Sequence, residues 1–170
     1  MTDKTVLITG CSSGIGYTCA TGLKQRGWRV FATARKPSDL ARLAAEGLET
    51  LYLDYTEPQS IDHCVAEVAK RTGGTLYGQF NNGAYGQPGA VEDLTRAALR
   101  LQFETNLFGT QELTNRVLPV MRARNAGRIV QISSLLGIVC MGYRGAYNAS
   151  KFALEALSDT MRLELGGTNI

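Results

Sequence analysis

The sequence predicts an α/β protein built on a doubly wound parallel sheet. Three observations carry that expectation. Short apolar runs alternate along the chain with longer segments of helical period. The apolar runs are continuous, as strands buried on both faces require. Each helix between them returns the chain to the same edge, and right-handed crossovers then cover both faces of the sheet.

"TVLITG" (Thr5 to Gly10) reads as the first strand, and "GIGYTCATGLKQRG" as a helix ended by Gly27. "RVFATAR" is the second strand, followed by "PSDLARLAAEG", a short helix begun by Pro37 and closed by Gly47. "LETLYLDYT" and "EPQSIDHCVAEVAKRTGG" form the third strand and helix. "LYGQFNNGAYG" gives a fourth strand entering a glycine-rich loop. A long helix is expected over roughly Thr95 to Arg124, then "GRIVQISS" as the fifth strand. The fifth and last helix runs from about Tyr147 to Leu165. No repeat, linker or low-complexity tract interrupts the pattern, so residues 1–170 read as a single domain.

Composition narrows the function. Hydrophobic residues make up 44% and charged residues 19%, with a formal net charge of +3 and no basic block. Nucleic acid and anionic membranes are therefore not expected partners. The apolar runs are too short to span a bilayer, and Thr2, Asp3 and Lys4 stand where a secretory segment would begin, which points to the cytoplasm. Cys11, Cys19, Cys64 and Cys140 are scattered, and His63 is the single histidine. No metal site or disulfide framework is expected, and His63 reads as a solvated surface residue.

"TGCSSGIG" (Thr9 to Gly16) follows the first strand and opens the first helix. Gly10, Gly14 and Gly16 would let backbone N–H groups and the helix N-terminus approach a pyrophosphate; a plain turn is the alternative. Three residues separate the first two glycines, a wider spacing than G-x-G-x-x-G. Dinucleotide-binding folds place an acidic residue near the end of the second strand to hold the ribose 2′-hydroxyl. Here that end reads Thr33, Ala34, Arg35, Lys36. Arg35 would attract a 2′-phosphate with its planar fork, favouring NADP over NAD; a solvated strand end is the bland reading.

By these residues the chain resembles the short-chain dehydrogenase/reductase family over essentially its whole length. "TGCSSGIG" looks like the family's T-G-x-x-x-G-x-G cofactor loop, which implies cofactor contacts from Gly10, Ser12, Ser13, Gly14, Ile15 and Gly16. Asp54 is at the adenine-contacting position, and "NNGA", with Asn82, is at the N-N-A-G motif. Asn106 falls at the active-site asparagine. Ser134 precedes Tyr147 by 13 residues, the family's usual interval, and "YNASK" supplies its Y-x-x-x-K pair of Tyr147 and Lys151. The glycine loop, "ATAR" and "ASKFALEALSD" look closest to the hydroxysteroid and retinol dehydrogenase branch and to bacterial NADP-dependent aldehyde and ketone reductases.

The resemblance implies a Rossmann-like fold and reversible hydride transfer between NADP(H) and a carbonyl or alcohol, with a hydrophobic aldehyde or ketone as substrate. Residues at i and i+4 share a helix face, so Tyr147 and Lys151 can reach one cleft. Tyr147 would give or take the substrate proton. A free tyrosine titrates near about 10, and an adjacent ammonium favours the phenolate. Lys151 would also bond the nicotinamide ribose. Ser134 would hold the substrate oxygen; Ser133 is the competitor, but neighbouring strand residues point to opposite faces, so only one can serve, and the family's interval to Tyr147 picks Ser134. Asn106 would help position a proton-relaying water, or mark a bend in the long helix. The apolar Leu135, Ile138, Val139 and Met141 fit a hydrophobic substrate.

Two departures stand out. "NNGA" reverses the last two residues of its motif, and the chain stops at "LRLELGGTNI", where relatives enter a sixth strand and substrate-covering segments. The resemblance therefore implies one dinucleotide-binding and catalytic domain lacking those C-terminal parts. Homodimers or homotetramers through "LFGTQELTNRVLPVM" and "FALEALSDTMRLEL" are the expected assemblies. A non-catalytic NADP(H)-binding protein of the same fold is the alternative function; the intact Ser134, Tyr147 and Lys151 weigh against it.

Overall fold

The computed structural model describes residues 4–170, so Thr2 and Asp3 of the polar start lie outside the described residues. The chain runs β1 (Thr5–Ile8), α1 (Gly14–Gln25), β2 (Arg29–Ala34), α2 (Pro37–Ala45), β3 (Glu49–Tyr52), α3 (Pro58–Thr72) and β4 (Gly78–Asn81). It continues through α4 (Arg96–Phe103), α5 (Gly109–Arg124), β5 (Arg128–Gln131) and α6 (Gly145–Glu164). The strands form one sheet in the order β3-β2-β1-β4-β5, every pairing parallel. This is the Rossmann-like, doubly wound α/β architecture expected.

The continuous apolar strands bury both faces. Leu7, Phe31 and Leu51 point one way, onto Ile61, Cys64 and Val68 of α3 and Leu113, Val117 and Met121 of α5. Val6, Ile8, Val30, Ala32 and Phe80 point the other way, onto Ala20, Leu43 and Leu48. β3 and β5 are the edge strands, and Val130 on β5 is half exposed. The helix punctuation follows the sequence: Pro37 and Pro58 start α2 and α3, and Gly27, Gly47 and Gly73 take the left-handed conformation just past helix ends.

The long helix expected over Thr95 to Arg124 is not continuous. A π-helical turn, Glu104–Phe108, separates α4 from α5, so the described residues contain six α-helices rather than five. The physical reason lies on both sides of the turn. Asn106 is drawn inward to bond the backbone of Tyr85, and Gly109 lies so close to the Tyr55 backbone that a Cβ would not fit. One extra residue in the turn lets both contacts form. The last helix also begins two residues early, at Gly145, which places Tyr147 and Lys151 in its first two turns.

The expected self-association faces are partly used within the chain. Leu113, Val117 and Met121 are fully buried against the sheet, whereas Phe108, Phe152 and Leu157 are exposed. No helix among the described residues is long and apolar enough to cross a membrane, and no group of three or more His, Cys, Asp or Glu among them could hold a metal ion. All four cysteines are free, and His63 is exposed.

Candidate active site

The strand order reverses between β1 and β4, and the crevice beyond their carboxyl ends is where such sheets bind ligands. A cleft of about 650 Å³ lies there, lined by residues following β1, β2, β3 and β4. Gly10, Ser12 and Ser13 come from the glycine loop, Arg35 from the end of β2, Asp54 from beyond β3, and Asn82 from beyond β4. Ser13 is the N-cap of α1, yet its side chain makes no capping bond, leaving the first N–H groups of the helix available to an anion. Gly10 and Gly14 have positive φ of 66° and 57°, which favours glycine at both. Gly16 serves packing: a Cβ there would run into the Gly10 carbonyl. Ile15 is exposed and does not line the cleft.

Asp54 and Arg35 face each other across this cleft, Oδ2 to Nη1 at 3.6 Å. Asp54 is fixed by accepting bonds from the Thr56 N–H and hydroxyl, both at 2.9 Å. The Arg35 side chain is 70% exposed, so the pair is solvent-screened and leaves the guanidinium free to meet a ligand. Asn82 donates from Nδ2 to the carbonyls of Thr9 and Gly10, tying the end of β4 to the glycine loop.

A polar network beneath the loop was not singled out in the sequence. Thr9 Oγ1 accepts the backbone N–H groups of Asn82 and Gly83 at 2.9 and 3.0 Å. The buried Tyr55 hydroxyl lies 2.9 Å from Thr9 Oγ1 and 3.0 Å from Asn81 Oδ1. Burial pushes that hydroxyl well up from its ordinary value, keeping it protonated as a donor. The ring of Tyr55 explains the reversed "NNGA". A Cβ on Gly83 would come 2.7 Å from Tyr55 Cε2, so the alanine of the usual order has no room. Gly83→Ala is therefore expected to lower stability by about 1–3 kcal/mol, and by much less in a Tyr55→Leu background. Urea unfolding of the four-member cycle checks this; strictly additive values would refute the coupling.

The residues expected to be catalytic are linked through α6. Lys151 is 2% exposed; its Nζ donates to the Ile132 carbonyl at 2.6 Å and lies 5.7 Å from the centre of the Tyr147 ring. Burial lowers the Lys151 ammonium to about 8, with Glu155 one turn on pulling weakly upward. Asn106, 1% exposed, accepts from Tyr85 N at 3.1 Å and donates to Tyr85 O at 2.9 Å and Ser150 Oγ at 3.1 Å. Ser150 in turn donates to the Tyr147 carbonyl at 2.8 Å. The Asn106 side chain thus braces the start of α6.

Ser133 and Ser134 diverge as strand geometry dictates. Ser133 Oγ is buried beside Gly137, while Ser134 Oγ accepts the Leu136 N–H at 3.1 Å at the head of a short 3₁₀ turn, Leu135–Gly137. That turn packs against α6: a Cβ on Gly137 would lie 3.3 Å from the Lys151 carbonyl. In and after this turn Leu135, Ile138, Val139, Met141 and Tyr143 are exposed, and Met141 and Tyr143 line a second cavity of about 510 Å³.

A glycine loop over a helix N-terminus, with a buried lysine beside a tyrosine four residues earlier, thus occupies one end of the sheet. The family model for short chain dehydrogenase matches residues 4–170. The chain belongs to the short-chain dehydrogenase family. It is 46% identical over 168 residues to an uncharacterized oxidoreductase, YbbO, of Escherichia coli K12, covering 99% of this chain and 62% of that one. It is 38% identical to an NADPH-dependent 1-acyldihydroxyacetone phosphate reductase of Schizosaccharomyces pombe, over 96% of this chain and 55% of the relative. Among solved structures, actinorhodin polyketide ketoreductase (F189W) with NADPH aligns with a TM-score of 0.92 at 33% identity, covering 98% of this chain and 66% of that one. The chain therefore spans less than two thirds of these short-chain dehydrogenases.

Proposed function

We propose that this chain carries the cofactor and catalytic core of an NADP(H)-dependent oxidoreductase that reduces a hydrophobic aldehyde or ketone. The observation that carries the reading is Lys151, buried with its Nζ 5.7 Å from the centre of the Tyr147 ring, in a chain whose glycine loop lines a cleft at the carboxyl ends of the strands. A bound nicotinamide supplies and accepts the hydride. Gly10, Ser12, Ser13 and Asn82 would hold the dinucleotide, with Asp54 and Arg35 at its adenosine end, while Gly14, Ile15 and Gly16 shape the turn.

Tyr147 donates the proton that a reduced carbonyl oxygen needs, and takes it back in the oxidative direction. Lys151 beside it favours the phenolate and binds the cofactor ribose. Ser134 holds the substrate oxygen and its developing charge. Asn106 keeps Tyr85 and α6 in place around them. The exposed apolar residues 135–143 support a hydrophobic substrate, and exposed Phe108, Phe152 and Leu157 support a homodimer or homotetramer.

NADP preference rests on Arg35 and on the lack of a carboxylate at the end of β2. Arg35→Asp is expected to weaken NADPH binding by about 10- to 100-fold while leaving NADH nearly unchanged, as loss of a charge-assisted bidentate contact implies. Thermal melts test both claims. A cofactor at about 100 times its dissociation constant adds roughly 2.7 kcal/mol, so NADPH should shift the melt strongly and NADH weakly. Equal shifts would overturn the preference. NADPH oxidation against an aldehyde and ketone panel then tests the reaction.

A further inference from the structure

Between β4 and a short 3₁₀ turn at Val91–Asp93 the chain runs without helix or strand, and two buried carboxamides hold it. Gln102, 0% exposed, donates from Nε2 to the Tyr85 carbonyl at 2.8 Å and accepts the Gln87 N–H on Oε1 at 2.7 Å. Asn106, four residues on, bonds Tyr85 N and O. Tyr85 lines the cofactor cleft. Gly86, between the two clamped residues, lies against Tyr147: a Cβ there would stand 3.3 Å from Tyr147 Cδ2. Further along, Gly89 N donates to the Tyr143 carbonyl at 3.0 Å.

Only a group with one donor and one acceptor matches this pair of backbone partners. A segment with no ladder of its own is fixed at 85–87 by Gln102 and Asn106, and its middle residue rests on the proton-transferring ring. We infer that Gln102 is a positioning residue for Tyr147, setting where the 85–87 strap meets the phenol. The inference extends the proposed reaction: its kinetic consequence rests on that reading, its geometric one does not.

The test uses the intact protein with 3-fluorotyrosine placed at position 147. Gln102→Leu removes both bonds; Gln102→Glu keeps the acceptor and, when protonated, the donor too. Gln102→Leu should lower kcat about 10- to 100-fold, the scale of a small misplacement, with the KM for NADPH within about twofold. Its fluorine resonance should shift or broaden. For Gln102→Glu, kcat relative to the parent should rise as pH falls from about 8 to about 6, as a buried carboxyl regains its proton. A merely structural glutamine would not give that pH-dependent rescue.

If both variants melt cooperatively and keep kcat within about twofold of the parent, the inference is wrong. Should Gln102→Leu fail to fold, the pH profile of Gln102→Glu decides alone, and a flat ratio overturns it. If the parent reduces nothing in the panel, the proposed reaction fails instead. The fluorine signal then decides the positioning: a displaced resonance in Gln102→Glu at about pH 8 supports it, and an unmoved one overturns it.

Discussion

Tyr147→Phe should lower kcat for carbonyl reduction by about 10²- to 10⁴-fold and leave the NADPH-induced thermal shift intact. The change removes one oxygen from a half-buried ring and alters nothing else in α6. Gly86 would still pack on the ring, and Ser150 would still donate to the backbone carbonyl of residue 147. Lys151 would keep its bond to the Ile132 carbonyl. The proposed cofactor residues Gly10, Ser12, Ser13, Arg35 and Asp54 line a cleft to which Tyr147 does not contribute. Binding and chemistry should therefore separate cleanly. Steady-state NADPH oxidation with a reactive aldehyde reads the first quantity, and a melt with saturating NADPH reads the second. Turnover unaffected by the missing hydroxyl would remove Tyr147 from the proton path and favour a protein that binds the dinucleotide without reducing anything.

The same residues show what a sequence can and cannot carry. β1, the glycine loop and α1 are local: a buried run, a cluster permitting positive φ and a helix start lie within about twenty consecutive residues, so their pattern is readable. Tyr147 and Lys151 are local in the same way, four residues apart on one helix. Thr9 and Tyr55 are not. Their bonds join positions 26 to 74 residues apart, and only the sheet order brings those positions together. The reversed "NNGA" is visible as an anomaly, but its cause is the ring of Tyr55, some thirty residues upstream. Gln102 hides for a related reason. On a helix of this polarity a glutamine reads as a solvated residue, and burial is decided by the strap that crosses it. The π turn is half legible: Asn106 can be read as a bend in the long helix, but periodicity on either side looks unbroken, and the extra residue shows only once Asn106 and Gly109 are seen pulling on different partners.

Lys151→Met should abolish most turnover and yet raise stability near neutral pH, a trade between function and folding. The Lys151 ammonium is lowered to about 8 by burial, whereas in the unfolded chain it titrates at about 10.4. Below pH 8 both states hold the proton, and the fold bears the full cost of a buried charge, at most about 3 kcal/mol. Between about 8 and 10.4 the unfolded state binds more protons than the folded one, so stability rises with pH and the cost is relieved. Methionine fills similar space without the charge, although it leaves the Ile132 carbonyl short of a donor, which costs about 1 kcal/mol. The net gain should be about 1–2 kcal/mol at pH 7, shrinking or reversing by pH 10. Urea unfolding of parent and variant across that range measures it. If the variant were less stable at pH 7, the charge would be stabilising the fold, and burial could not be what lowers the ammonium. If the gain persisted unchanged to pH 10, the titration would lie elsewhere. The predicted pattern would mean that the lysine is kept for its charge beside Tyr147, against the preference of the core around it.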